Sequence, residues 1–313
     1  MKIFSGTANP QLAQKIAAAL GSQLGECTIK KFADGELWVK YEENVRGSDV
    51  FIIQPTNAPA EHMLELLIML DAARRASANR ITAVIPYYGY ARQDRKDQPR
   101  VAISAKLFAN LIVTAGANRI LTMDLHAPQI QGFFDIPLDH LYGASVFIEH
   151  VHKLRIPDLI VVSPDIGGIR LARSYARRLG VDLAMLDKRR IKHNECEVTN
   201  LVGSVADKNV LIVDDLVDTA GTLINGVQVL KKAGAKGIYV ATTHAILSLD
   251  AHVRLAQSPI DHMFVTDSVA IPEQKSFPQM QVLTVANLLA EAIIRIHDDR
   301  SISDLFPEKG PIL

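Results

Sequence analysis

Two adjacent carboxylates, Asp214 and Asp215, follow the apolar run 210–213 (VLIV), and a third acid, Asp218, opens the turn Asp218-Thr219-Ala220-Gly221-Thr222. Acids at a strand end accept hydrogen bonds from hydroxyls or hold a hydrated cation. The turn is built of small residues and leads into a helical pattern. Its backbone amides are therefore expected to be unpaired and directed outward, where they suit a phosphate, with the threonine hydroxyls as further donors. The plainer alternative is helix capping by Asp218 or Thr219 with nothing bound, which is compatible with anion binding. Acids beside an anion cradle suit a sugar phosphate, with its diol on the acids and its phosphate on the amides.

Five further segments carry chemical character. Phe32-Ala33-Asp34-Gly35-Glu36 sets an aromatic face and two acids around a glycine, and 91–96 (ARQDRK) supplies Arg92, Gln93 and further cations just after a strand pattern. Arg and Phe can sandwich an adenine ring while acids or an amide read its polar edge. Each segment alone is matched by a solvated charged turn. His126 in MDLH and Asp165 in SPD follow strand-like runs, where they could together position magnesium through phosphates and water. The basic stretch 187–192 (DKRRIK) has no apolar periodicity and reads either as a mobile lid bringing cations to a transferring phosphate or as a plain solvated loop.

The elements that must position these residues alternate. Strand-length apolar runs fall at 50–54, 81–85, 120–123, 159–162, 210–213 and 238–242, and helical spacing falls at 9–20, 104–114 and 221–233. The segment 63–70, interrupted by Glu65, reads as a core-facing helix. Continuous apolar strands between amphipathic helices predict an α/β class with parallel sheet covered on both faces, and ligands at the carboxyl ends of the strands. The order strand, proline, glycine turn, arginine occurs in both 81–92 (ITAVIPYYGYAR) and 159–170 (LIVVSPDIGGIR), and RILTMDL (119–125) echoes NVLIVDD (209–215). This suggests an internal duplication, although any α/β chain repeats such units.

The chain of 313 residues allows about two domains, taking roughly 150 residues for each. The expected division is 1–146 and 147–313, with room for the last residues to return to the first domain. Lys plus Arg number 34 and Asp plus Glu 34, so no global field favours nucleic acid or an anionic membrane. The two cysteines, Cys27 and Cys196, have no metal-ligand spacing and fit a reducing compartment. MKIFSGTANP lacks the regions of a signal peptide, and no run reaches the ~18 apolar residues of a membrane span. A cytoplasmic protein is expected.

The segment 210–222 resembles the 5-phosphoribosyl-1-diphosphate motif of type I phosphoribosyltransferases, two acids followed by a D-[ST]-[AG]-[GA]-T turn. That motif leaves ribosyl transfer and synthesis of the diphosphate donor both open. With FADGE, ARQDR, 123–134 (MDLHAPQIQGFF), 161–168 (VVSPDIGG) and the basic stretch in the same order, nearly the whole chain resembles the class I ribose-phosphate diphosphokinases. The resemblance implies two similar phosphoribosyltransferase-like domains, each a mainly parallel sheet flanked by helices. It implies transfer of the β,γ-diphosphoryl group of ATP to the 1-hydroxyl of ribose 5-phosphate, giving AMP. By the same carry-over, Lys188 and Arg190 stabilise the transition state, and Phe32, Asp34, Gly35, Glu36, Arg92 and Gln93 bind ATP. Ribose 5-phosphate falls to Arg190, Asp214, Asp215 and the turn Asp218, Thr219, Ala220, Gly221 and Thr222, and Mg2+ to His126 and Asp165. A homohexamer is implied, with the FADGE loop reaching the active site of a neighbouring subunit. Ile191 departs from the family where many members carry proline, and Asn44 where many carry serine near the regulatory arginine matched by Arg46. A phosphoribosyltransferase and a non-catalytic regulatory subunit are the rival expectations.

Overall fold

A computed structural model of the chain describes residues 1–189 and 198–306. In chain order the elements are β1 (Lys2–Ser5), α1 (Pro10–Ala19), β2 (Cys27–Lys31), β3 (Leu37–Tyr41), β4 (Asp49–Ile53), α2 (Glu61–Arg75), β5 (Arg80–Ile85), α3 (Ser104–Ala115), β6 (Arg119–Met123) and β7 (Leu138–Leu141). There follow α4 (Ala144–Leu154), β8 (Leu159–Ser163), α5 (Ile169–Leu179), β9 (Asp182–Arg189), β10 (Val198–Val202), β11 (Asn209–Val217), α6 (Gly221–Lys232), β12 (Ile238–Ala245), α7 (Ala251–Ala256), β13 (His262–Thr266), β14 (Met280–Leu283) and α8 (Ala286–His297). The chain divides into two units. The first comprises Met1–Tyr142, Ser268–Ala270 and Thr284–Leu305, and the second Gly143–Asp267 and Ile271–Leu283 together with Phe306.

In the first unit a five-stranded parallel sheet has the order β1-β4-β5-β6-β7. Residues 50–53, 81–85 and 120–123 are buried throughout, as expected where helices cover both faces of a parallel sheet. Helix α1 starts at Asn9, whose side chain accepts from the Leu12 amide at 3.2 Å, with Pro10 in the first turn where its missing N–H costs nothing. Glu65 does not interrupt the buried face of α2 but lies within it, 3% exposed. Its carboxylate accepts from the Thr7 amide (2.6 Å), the Thr7 hydroxyl (2.7 Å) and Gln54 Nε2 (2.7 Å). A buried carboxylate is tolerated only with such partners, so the acid ties the loop after β1 to the sheet.

A separate two-stranded hairpin, β2 and β3, is antiparallel. Its base is held by Tyr41, which donates to the Met69 carbonyl at 2.9 Å and meets Phe4 edge-on at 4.6 Å between centroids. At its far end every residue from 31 to 36 is exposed.

In the second unit a seven-stranded sheet has the order β10-β9-β8-β11-β12-β13-β14, parallel except for the β9–β10 pair. The echo noted in the sequence maps onto the same neighbours in both units. The proline-turn strands β5 and β8 lie parallel beside β6 and β11, the strands that lead to aspartates. All carboxyl ends within each parallel core point to one edge, where the loops bearing the chemistry emerge. No helix among the described residues is long and apolar enough to cross a membrane.

Candidate active site

Strand β11 runs further than its apolar core: Asp214 and Asp215 lie within it, and it ends at Val217 rather than before the acids. Its pairing with β12 continues to Val217↔Ala245, whereas its pairing with β8 stops at Ile212. The two acids therefore sit where β11 has lost one neighbour, beside the loop that follows β8. In that loop Asp165 Oδ1 accepts from the Gly168 amide at 2.9 Å, and Ser163 Oγ donates to the Asp165 carbonyl at 2.7 Å.

Burial pushes the Asp214 carboxyl well above the usual carboxylate range; the charge of Asp215 and a side-chain hydrogen bond shared with it add to this, as does the charge of Asp165. Asp214 Oδ1 also accepts from the Asp215 amide at 2.9 Å. A buried acid crowded by two further carboxylates suits cations or hydroxyl donors.

The turn that follows is open at its helix start. The N-cap of α6 is Ala220, in the left-handed region at φ +62°, a residue with no polar side chain of its own to cap the helix. The N-cap position thus falls to Ala220 rather than to Asp218 or Thr219. A left-handed alanine costs about 1 kcal/mol, and such strain is found where a loop has a task besides folding. The amides at the start of a three-turn helix suit an anion.

Lys188 lies in β9, its backbone opposite Thr199 of β10, so the expected loop is in this part a strand. The pairing of β8 with β9 ends at Met185, and beyond it β9 is paired with β10 as a two-stranded arm. Arg190 and Ile191 lie outside the described residues.

In the first unit, Phe32-Ala33-Asp34-Gly35-Glu36 forms the tip of the β2–β3 hairpin. The Phe32 amide donates to the Glu36 carbonyl at 2.8 Å, and the Glu36 amide donates to Asp34 Oδ1 at 3.1 Å. Gly35, at φ +94°, occupies a conformation few other residues adopt, and the Phe32 ring is 50% exposed. Arg92 and Gln93 sit in the loop between β5 and α3 and are exposed. Gln93 Oε1 accepts from Ser104 Oγ at 2.5 Å, and its carbonyl accepts from the Ala105 amide at 3.2 Å, which fixes it to the start of α3. The loop is also pinned at Gly89: a Cβ there would lie 2.0 Å from the Thr56 carbonyl oxygen, and the glycine amide donates to Thr56 Oγ1 at 2.8 Å. His126 is exposed just beyond β6.

Neither Thr56, which holds the Arg92 loop, nor His140, whose Nε2 accepts from the Leu125 amide at 2.9 Å beside His126, is signalled by the sequence. Nor is Arg254, which touches the turn 218–222. None of the three stands in a segment of unusual composition. Among the described residues no group of three or more His, Cys, Asp and Glu side chains is gathered into a ready-made metal site. His126 belongs to the first unit and Asp165 to the second.

Two families match the chain. The N-terminal domain of ribose phosphate pyrophosphokinase covers residues 1–116, and the phosphoribosyl synthetase-associated domain covers 189–307. The chain is 56% identical over 311 residues to a ribose-phosphate pyrophosphokinase of Chlorobaculum tepidum, covering 99% of this chain and 96% of that one. It is 53% identical over 310 residues to ribose-phosphate pyrophosphokinase 1 of Spinacia oleracea, covering 98% and 92%. The crystal structure of phosphoribosylpyrophosphate synthetase from Mycobacterium smegmatis superposes with a TM-score of 0.90 at 42% identity, covering 95% of this chain and 99% of that one.

Proposed function

The chain belongs to the ribose-phosphate pyrophosphokinase family, enzymes that move the β,γ-diphosphoryl group of ATP to the 1-hydroxyl of ribose 5-phosphate, and on that premise we propose which of its residues hold each substrate. Ribosyl transfer to a base and a non-catalytic role are not favoured.

Ribose 5-phosphate belongs to the second unit. Its phosphate lies on the amides and hydroxyls of Asp218, Thr219, Ala220, Gly221 and Thr222, and its hydroxyls face Asp214 and Asp215. The observation that carries this assignment is the start of α6, with the left-handed Ala220 at its N-cap, next to the buried Asp214 and its acid neighbours Asp215 and Asp165. A dianionic phosphate suits amides at a helix start, and a diol suits carboxylates.

ATP belongs to Phe32, Asp34, Gly35, Glu36, Arg92 and Gln93. An aromatic ring left half-exposed on a hairpin tip supports a tip that serves a neighbouring copy in a homohexamer. The reaction joins two anions, so it needs alignment and charge neutralisation more than covalent help. Lys188 and Arg190 supply the cations that stabilise charge on the transferring group.

The donor chemistry also fits Mg2+. This ion takes oxygen ligands, uses one or two carboxylates and completes its shell with water and substrate phosphates. Asp165 and His126 are the residues proposed to position it, the carboxylate with the acids of β11 close by and the imidazole, a nitrogen donor, through water and phosphate. When bound, it would neutralise phosphate charge. The neutral charge balance and the two separated cysteines support a cytoplasmic setting.

The roles divide under mutation. Lys188→Ala is expected to lower kcat by about a hundredfold or more, with KM for ATP within about threefold, because a cation acting on the transition state contributes little to ground-state binding. Near-normal turnover would remove Lys188 from the chemistry.

A further inference from the structure

Helix α7 is lashed to the turn that starts α6. After β12 the chain bonds back to the end of β11: the Ile246 amide donates to the Val217 carbonyl at 2.9 Å and the Ser248 amide to the Asp218 carbonyl at 3.0 Å. From this fixed base Arg254 reaches across, and its Nη1 donates to the Thr219 carbonyl at 3.2 Å. A Cβ placed on Gly221 would have two neighbours within 4 Å, Arg254 Nη2 at 3.7 Å and Thr219 Oγ1 at 3.9 Å. Beyond the helix itself, the space above Gly221 is therefore bordered by a guanidinium and a hydroxyl.

Among the described residues Arg254 pairs with no carboxylate, although Asp165, Asp214, Asp215 and Asp218 all lie on the loops and strand ends of the same site. Those acids would repel an approaching dianion, and helix-end amides carry only partial charges. A full positive charge beside Gly221 offsets that repulsion.

We propose that Arg254 is a phosphate-binding residue of the ribose 5-phosphate site: the Thr219 carbonyl orients its guanidinium, and Nη2 donates to an oxygen of the 5-phosphate lying over Gly221. This rests on the reading of turn 218–222 as the phosphate cradle. The planar fork suits both tasks together, because one nitrogen serves the protein and another the ligand. A lysine has a single nitrogen and serves them less well.

Calorimetric titration of the full chain with ribose 5-phosphate tests this, using Arg254→Gln, Arg254→Lys and Thr222→Ala. Losing a charge-assisted bond to a phosphate should weaken ribose 5-phosphate binding about 10- to 100-fold in Arg254→Gln. Arg254→Lys should lose about three- to tenfold, and ATP affinity should stay within about twofold for both. A purely structural role would lower ATP affinity and melting temperature together with ribose 5-phosphate affinity, and that pattern would overturn the proposal. If Thr222→Ala weakens ribose 5-phosphate while Arg254→Gln binds it as the natural protein does, Arg254 is excluded and the cradle stands. If neither variant changes affinity, the cradle itself is wrong. Should Arg254→Gln fail to fold, undiminished affinity in Arg254→Lys refutes the proposal.

Discussion

Replacing Asp214 with Asn should stabilise the unliganded protein while removing its activity. The two side chains have nearly the same volume, and the amide oxygen keeps the bond that Asp214 Oδ1 accepts from the Asp215 amide at 2.9 Å. What disappears is a buried negative charge facing Asp215 and Asp165. Two like charges about 4 Å apart repel by about 1 kcal/mol in water and about 4 kcal/mol near a protein surface. The acid at this site lies between those limits, which gives a gain of about 1–3 kcal/mol and raises the melting temperature by roughly 3–10 °C for a unit of this size. The sign follows from the direction of the shift. Asp214 in the fold holds its proton more tightly than in the unfolded chain, where a carboxyl titrates near about 3.9. Ionisation therefore destabilises the fold above the raised value, and that penalty is relieved as pH falls through it. Melts of the natural protein and Asp214→Asn in chelator should differ most near pH 8 and converge toward pH 4. A variant equal to or less stable than the natural protein at pH 8 would refute the view that these acids are held against the fold's preference for the sake of a ligand.

Phe32→Ala should raise KM for ATP about tenfold, the value of one base stacked on an aromatic ring, and spare KM for ribose 5-phosphate; steady-state kinetics with each substrate varied would show it, and equal losses would point to misfolding. Arg80→Ala should destabilise the first unit by about 3 kcal/mol in denaturant titration. Arg80 grips Asp49 through Nε (2.9 Å) and Nη2 (2.5 Å) and donates to the Ile296 carbonyl at the end of α8 (2.8 Å), whereas its bond to the 82% exposed Asp299 adds little. Burial alone would raise Asp49, yet hydrogen bonds from Arg80 and His297 hold it below the ordinary carboxylate range. The stability it contributes is thus present above about pH 3.9 and lost as pH falls through the lowered value, so the penalty of Arg80→Ala should shrink in acid.

The six apolar runs read as strands reappear as β4, β5, β6, β8, β11 and β12, because a strand buried on both faces leaves a continuous apolar signal. Where that signal stops, so did the reading. The end of β11 carries Asp214 and Asp215, and the end of β9 carries Asp187, Lys188 and Arg189; both are strand because of pairing with distant segments, which local composition does not record. Glu65 appeared to break a helix face and instead fills it, since Thr7 and Gln54 supply its partners from far along the chain. The turn 218–222 was legible because its small residues and acids are contiguous. Arg254 was not, being brought to Gly221 from more than thirty positions away by the loop after β12.

The central claim, diphosphoryl transfer onto the 1-hydroxyl of ribose 5-phosphate, is tested most directly by incubating the protein with ATP, ribose 5-phosphate and Mg2+ and no nucleobase. AMP should appear in one-to-one ratio with 5-phosphoribosyl 1-diphosphate, and only when ribose 5-phosphate is present. Absence of AMP under those conditions, or its release without ribose 5-phosphate, would contradict the account.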